Sequence, residues 1–194
     1  MDGDSQIKEL REKLDVRPSI ERLFESFERF AFDKKGIIYA IDIAHAEHIA
    51  EFYRLQGVNA VAISSKTPAK ERAEVIRTFM EENRIQILVS VDLFSDGFDC
   101  PDVEFIQMAR PTLLLAKYLQ MVGRGLHPCK GKQCCTIIDN VWRYRTLGLP
   151  SVDRYWGAYF AGYEELGMRN WRVARCRASA FSSAVSSTTW LTAI

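Results

Sequence analysis

Between residue 18 and residue 139 the chain alternates between two hydrophobic periods. Over Pro18–Ala31 the apolar residues Ile20, Leu23, Phe24, Phe27 and Phe30 recur at i, i+3, i+4 and i+7, the stripe of a helix with one buried face. Lys34-Lys35-Gly36 ends it. Gly36–Ile41 is then a continuous apolar run, the pattern of a strand covered on both sides. Ala44–Gln56 returns to the helical period with Ala46, Ile49, Ala50 and Tyr53 inward, and Gly57 follows at the helix C-terminal cap. Val58–Ile63 predicts a second strand. Thr67 and Pro68 have the chemistry of an N-cap and a first turn. They open a helix to about Glu82 that buries Val75, Ile76, Phe79 and Met80. Strands over Ile85–Val91 and Val103–Met108, a helix over Thr112–Gly125 and a strand over Thr136–Asp139 complete the series.

Strand and helix alternate at short spacing, so the fold class is α/β, a doubly wound, mostly parallel sheet. In such sheets ligands meet the loops at the carboxyl ends of the strands. Those loops are Asp42–His45, Ser64–Thr67, Asp92–Pro101 and Arg110–Thr112, and they are expected on one edge. The chain divides into a helical lead-in (1–35), the α/β domain (36–140), an accessory segment (141–177) and a Ser/Thr-biased tail (178–194) expected to be poorly ordered.

Composition narrows the picture little. Of the 194 residues, 47% are hydrophobic and 26% charged, with a net charge of +1, ordinary for a globular protein. No apolar run approaches the roughly 20 residues that span a bilayer. The acidic, polar start Met1-Asp-Gly-Asp-Ser-Gln has no secretory character, so the expected compartment is cytoplasmic. Cys100, Cys129, Cys134, Cys135 and Cys176 form an odd set that reads as reduced thiols. Cys129, Cys134 and Cys135 reach the four ligands of a structural zinc site only by recruiting Cys176 or His127. Cys134 and Cys135 are better explained as small strand residues, and no metal site is assigned.

A phosphate-cradling loop requires Gly-x-x-x-x-Gly-Lys-[Ser/Thr] between strand and helix. Gly131-Lys132 continues with Gln133, and no strand ends in an Asp-Glu pair. Self-contained nucleotide hydrolysis is therefore not expected. The chain does carry Gln120-Met-Val-Gly-Arg-Gly-Leu-His127. Upstream stand Gly36-Ile-Ile-Tyr-Ala-Ile-Asp-Ile-Ala-His45, Ser64-Ser65-Lys66-Thr67 with Arg72, and Ser90-Val-Asp-Leu-Phe-Ser-Asp-Gly-Phe-Asp-Cys-Pro101. In that order these segments resemble motifs VI, IV, IVa and V of the second RecA-like domain of superfamily 2 helicases. The flavour is that of the branch holding restriction-enzyme motors and DNA-repair helicases.

The resemblance implies an ATP-dependent DNA or RNA helicase or translocase. ATP and Mg2+ would be bound mainly by an N-terminal RecA-like domain of the same parent protein, leaving this piece inactive alone. Arg124 would be the arginine finger, with His127 standing where the family has a second arginine. Gly97, Asp99, Gln120 and Gly123 would meet the nucleotide. Asp42, His45, Ser64, Ser65, Arg72 and Asp92 would meet the nucleic-acid backbone, with His45 alternatively a capping residue. A guanidinium is permanently charged and matches phosphate oxygens in a bidentate way. A neutral imidazole does not, so His127 implies weaker phosphate sensing, or sensing shared with Lys130 or Lys132. Residues 141–177 hold seven arginines (143, 145, 154, 169, 172, 175 and 177) against three acids (153, 164 and 165), 7 − 3 = +4, interleaved with Tyr and Trp. That mixture suits stacking on unpaired bases or an accessory helix packed on the sheet. The rival readings are a catalytically silent RecA-like binding module and a small-molecule domain of flavodoxin type. The second lacks a Gly-rich phosphate turn after its first strand.

Overall fold

In a computed structural model, residues 16–82, 84–91, 100–152, 154, 156 and 189–191 are described. Strands β1 (Gly36–Tyr39), β3 (Ile87–Ser90), β4 (Phe105–Met108) and β5 (Thr136–Asp139) are buried at every position. Continuous apolar runs demand that, because they have no polar face to offer water. β2 (Ala60–Ile63) is buried only at its ends. The strand order is β2-β3-β1-β4-β5-β6, with every pair parallel. The last strand, β6 (Thr189–Leu191), has no counterpart in the sequence reading.

Alternate residues of each strand feed two cores. Ile38, Ala40, Val89, Phe105 and Ile138 face α1 (Arg17–Ala31) and α2 (Ile43–Leu55). Ile37, Tyr39, Leu88, Ile106, Met108 and Ile137 face the other layer. That layer holds α3 (Ala69–Arg77), a π-helical turn (Thr78–Glu82) and α4 (Leu115–Gly123). The sheet is thus doubly wound, as expected. Expected burial of Met80 is corrected: it is 38% exposed while Phe79 is fully buried. The wider π turn rotates the face of the helix at this point, and only Phe79 stays inward.

Register sets the carboxyl ends of the strands level. Ile63, Ser90, Tyr39, Met108 and Asp139 lie level across five strands. The loops that follow β2, β1, β4 and β5 therefore leave the sheet from one edge. A buried polar chain stiffens this end. Tyr53 donates to Gln107 Oε1 (3.1 Å), and Gln107 Nε2 donates to the Leu23 carbonyl (2.9 Å) and to Asn140 Oδ1 (2.9 Å). Asn140 Nδ2 reaches Ser26 Oγ (3.0 Å), which ties α1 and α2 to β4 and to the exit of β5. Among the described residues no helix is long and apolar enough to cross a membrane.

Candidate nucleotide and nucleic-acid sites

The strand edge is built from local hydrogen bonds. Asp42 takes the N-cap of α2, its Oδ1 accepting from the His45 N–H at 2.9 Å. The His45 side chain turns fully inward, and its Nδ1 accepts from the Ile41 N–H at 3.3 Å. No surface of His45 reaches solvent. After β2, Ser64 is buried and its N–H donates to Thr67 Oγ1 (3.0 Å), while its Oγ accepts from the Lys66 N–H (3.2 Å). Thr67 therefore closes this turn instead of capping the helix, which begins at Ala69 with no side-chain cap. Ser65 is exposed at the tip and Arg72 half-buried one turn into α3. Asp92, Gly97 and Asp99 lie outside the described residues.

The second cluster sits at the end of α4. Gln120 is exposed, Gly123 and Arg124 are half-buried, and Arg124 is the C-cap residue in right-handed backbone geometry. Two glycines flank Arg124 for different reasons. A Cβ on Gly123 would meet nothing within 4 Å, but one on Gly125 would strike Cys135 Sγ and come within 2.8 Å of Ile106 Cγ1. Gly125 lets the chain lie directly on the sheet just after Arg124. Beneath, the buried Tyr39 hydroxyl donates to the Met121 carbonyl at 3.4 Å. Burial holds that phenol well above its ordinary range, against the opposing charge of nearby Arg124, so Tyr39 stays neutral.

Past Arg124 the chain turns on bonds from Gly125 N to the Val122 carbonyl and from Leu126 N to the Gly123 carbonyl, each 3.0 Å. His127 is exposed. Lys132 does not back it up: its ammonium donates to the carbonyls of Gly125 (2.8 Å), His127 (2.9 Å) and Pro101 (2.9 Å). A lysine spent on three carbonyls braces the turn and joins it to Pro101. Burial pushes the Cys135 thiol up to about 12, which makes it an inert packing residue.

Beyond β5 the accessory segment begins with structural roles. Asp139 is buried and accepts from the N–H groups of Val141 (3.2 Å) and Tyr144 (2.8 Å), opening α5 (Arg143–Leu147). Desolvation raises its pKa, and those donors oppose the rise. Arg154 is 8% exposed and donates to the carbonyls of Leu147, Leu149, Pro150 and Val152 at 2.9–3.3 Å. One of the seven arginines in that basic count is thus an internal clamp. Sequence alone flags neither it nor Lys132 as a brace, because carbonyl acceptors leave no side-chain signature.

A 51.5 kDa protein of Lactococcus phage (isolate 7-9) is 33% identical over 147 residues, which are 75% of this chain and 32% of the phage protein. A candidate ATP-dependent helicase of Saccharomyces cerevisiae, IRC3, is 30% identical over 106 residues, 55% of this chain and 15% of that protein. A solved fragment of a candidate HsdR subunit of a type I restriction enzyme from Vibrio vulnificus YJ016 superposes with a TM-score of 0.61 at 20% identity. It covers 80% of this chain and 32% of the fragment. The chain spans about a third or less of these relatives. The model of the helicase conserved C-terminal domain matches residues 19–127. Because that match covers more than half of its length, the chain belongs to the helicase conserved C-terminal domain family.

Proposed function

We propose that the chain is the C-terminal half of the motor of an ATP-dependent nucleic-acid helicase or translocase. ATP and its Mg2+ are held mainly by an N-terminal RecA-like domain of the parent protein. Arg124 reaches across the cleft to the γ-phosphate, with Gln120, Gly123, Gly97 and Asp99 around the nucleotide. Ser64, Ser65, Arg72, Asp42 and Asp92 grip the backbone of one strand, and His45 shapes the Asp42 turn from inside. The observation that carries this is the seating of Arg124: a half-buried arginine at the end of α4, its turn pressed on Ile106 and Cys135 and braced by Lys132.

Closure of the cleft would bring Arg124 to the charge that develops during phosphoryl transfer, and reopening after hydrolysis would shift the grip along the strand. Contacts to the backbone position a strand without reading its sequence, so no base preference is expected from this edge. The exposed His127 in place of a second arginine supports one alternative, a catalytically silent binding module. Nucleic-acid-stimulated ATP turnover of the parent protein separates the two. Arg124→Ala should reduce turnover roughly thousandfold, and His127→Arg should leave it equal or raise it. Unchanged turnover in Arg124→Ala refutes the motor role and leaves the binding module.

A further inference from the structure

Trp142 closes the functional edge in a conformation its side chain resists. It follows β5 by three residues and takes φ 58° and ψ 33°, the left-handed region that bulky residues avoid. Among the described residues no other non-glycine has a positive φ. Burial does not compensate, because the residue is 38% exposed. The turn is instead imposed from below, by the Asp139 carboxylate that accepts the Val141 and Tyr144 N–H groups on either side of it. An observed backbone outlier held in place by its surroundings is a legitimate starting point for a functional hypothesis.

The side chains around it have a definite chemistry. The Arg145 guanidinium lies over the Trp142 ring, 3.8 Å from its centroid, and Arg145 Nε donates to the Tyr144 hydroxyl at 3.2 Å. Arg145 is exposed and has no carboxylate partner among the described residues. An exposed indole and an arginine stacked on each other present a flat π surface with a positive charge beside it. Unpaired bases stack on such platforms whatever their sequence. β5 lies four inter-strand spacings from β2, about 19 Å, so the platform stands at the opposite end of the same edge from Ser64 and Ser65.

We propose that Trp142 and Arg145 form a stacking station for one unpaired nucleotide, the base against the indole and its phosphate near the guanidinium. The station rests on the nucleic-acid grip proposed above and extends it to the β5 end of the sheet. Its ligand chemistry is an unpaired base with its phosphate, which single-stranded DNA and single-stranded RNA share. The αL backbone holds the ring out at the edge, where a relaxed turn would let it fold back.

The test is fluorescence anisotropy of labelled oligothymidylate and oligouridylate with the 194-residue chain, alongside thermal melting of each variant. Trp142→Gly should bind about tenfold more weakly, the scale of one lost stacking contact, yet melt no lower than wild type, because glycine accepts the left-handed backbone freely. Trp142→Phe should stay within about threefold of wild type, since it keeps a π face. Arg145→Ala should weaken binding and flatten the dependence of log K on log salt by about 0.7, one phosphate on a single strand; the Trp142 variants should leave that slope alone. The tighter of the two oligonucleotides identifies the strand chemistry. Should Trp142→Gly bind like wild type while Ser65→Ala or Arg72→Ala weakens binding, the station is refuted and the grip stands. Should neither oligonucleotide bind wild-type protein, the grip falls and the station with it. Melting of Trp142→Gly below wild type would overturn the claim that the ring is held under strain.

Discussion

Replacing Gly125 with alanine should destabilise the domain by about 1–3 kcal/mol, while the same change at Gly123 should stabilise it. At Gly125 the new methyl would fall on Cys135 Sγ and lie 2.8 Å from Ile106 Cγ1 and 3.5 Å from Ile106 Cδ1. Neither neighbour can yield easily: Cys135 is 3% exposed and Ile106 fully buried in the central sheet. At Gly123 nothing lies within 4 Å and the residue ends α4, where alanine is preferred over glycine by about 0.5–1 kcal/mol. For a domain of this size each kcal/mol moves the midpoint by about 2–4 °C. Thermal melting should therefore place Gly125→Ala roughly 2–12 °C below wild type and Gly123→Ala about 1–4 °C above it. Cys135→Ala should recover part of the Gly125→Ala loss, with a coupling of about 0.5–3 kcal/mol between the two sites. If Gly125→Ala melts with or above Gly123→Ala, the turn after Arg124 is not seated on the sheet as described.

Arg154→Lys should cost about 1–3 kcal/mol in urea denaturation, because one ammonium cannot reach the four carbonyls that the planar guanidinium satisfies; a stability equal to wild type would refute the clamp. Lys132→Met should cost a similar amount and raise proteolytic cleavage near Pro101 and His127, the carbonyls it joins. For Asp102, burial alone would raise the pKa, but the Cys100 thiol and the Lys35 ammonium at 2.6 Å overcome it and the net shift is downward. A lowered folded pKa gives stability that is present above the unfolded value, near 3.9, and is lost as pH falls through the folded one. Asp102→Asn should thus be less stable than wild type at neutral pH by about 0.5–1 kcal/mol, the scale of a partly exposed pair, and the gap should close in acid. A gap that is constant from neutral pH into acid would contradict the assignment.

The fold was legible in the sequence because its strands are short apolar runs buried on both faces, and its helices keep one stripe. Gly36-Ile-Ile-Tyr39 and Thr136-Ile-Ile-Asp139 needed no further context. The shift at Met80 was not legible, because a π turn leaves the local sequence pattern helical. The Gln120–His127 segment named its own neighbourhood, and the structure supplied the distinction between its two glycines. Pattern could not separate a histidine that faces a ligand from one that folds inward, as His45 does. Nor could charge counting tell a surface arginine from Arg154, since only the packed chain shows where the carbonyls converge. Trp142 carried no signal in the sequence, and its backbone angle set it apart.

The central claim is that Arg124 serves the transferring phosphoryl group of a nucleotide bound to another domain. It is tested most directly by the affinities of the parent protein for ADP alone and for ADP with aluminium fluoride, a planar stand-in for that group, in wild type and Arg124→Ala. An interaction made mainly in the transition state predicts ADP affinity within about twofold of wild type and a loss of roughly a hundredfold or more for the fluoride complex. Equal losses for both ligands, or none for either, would contradict the account.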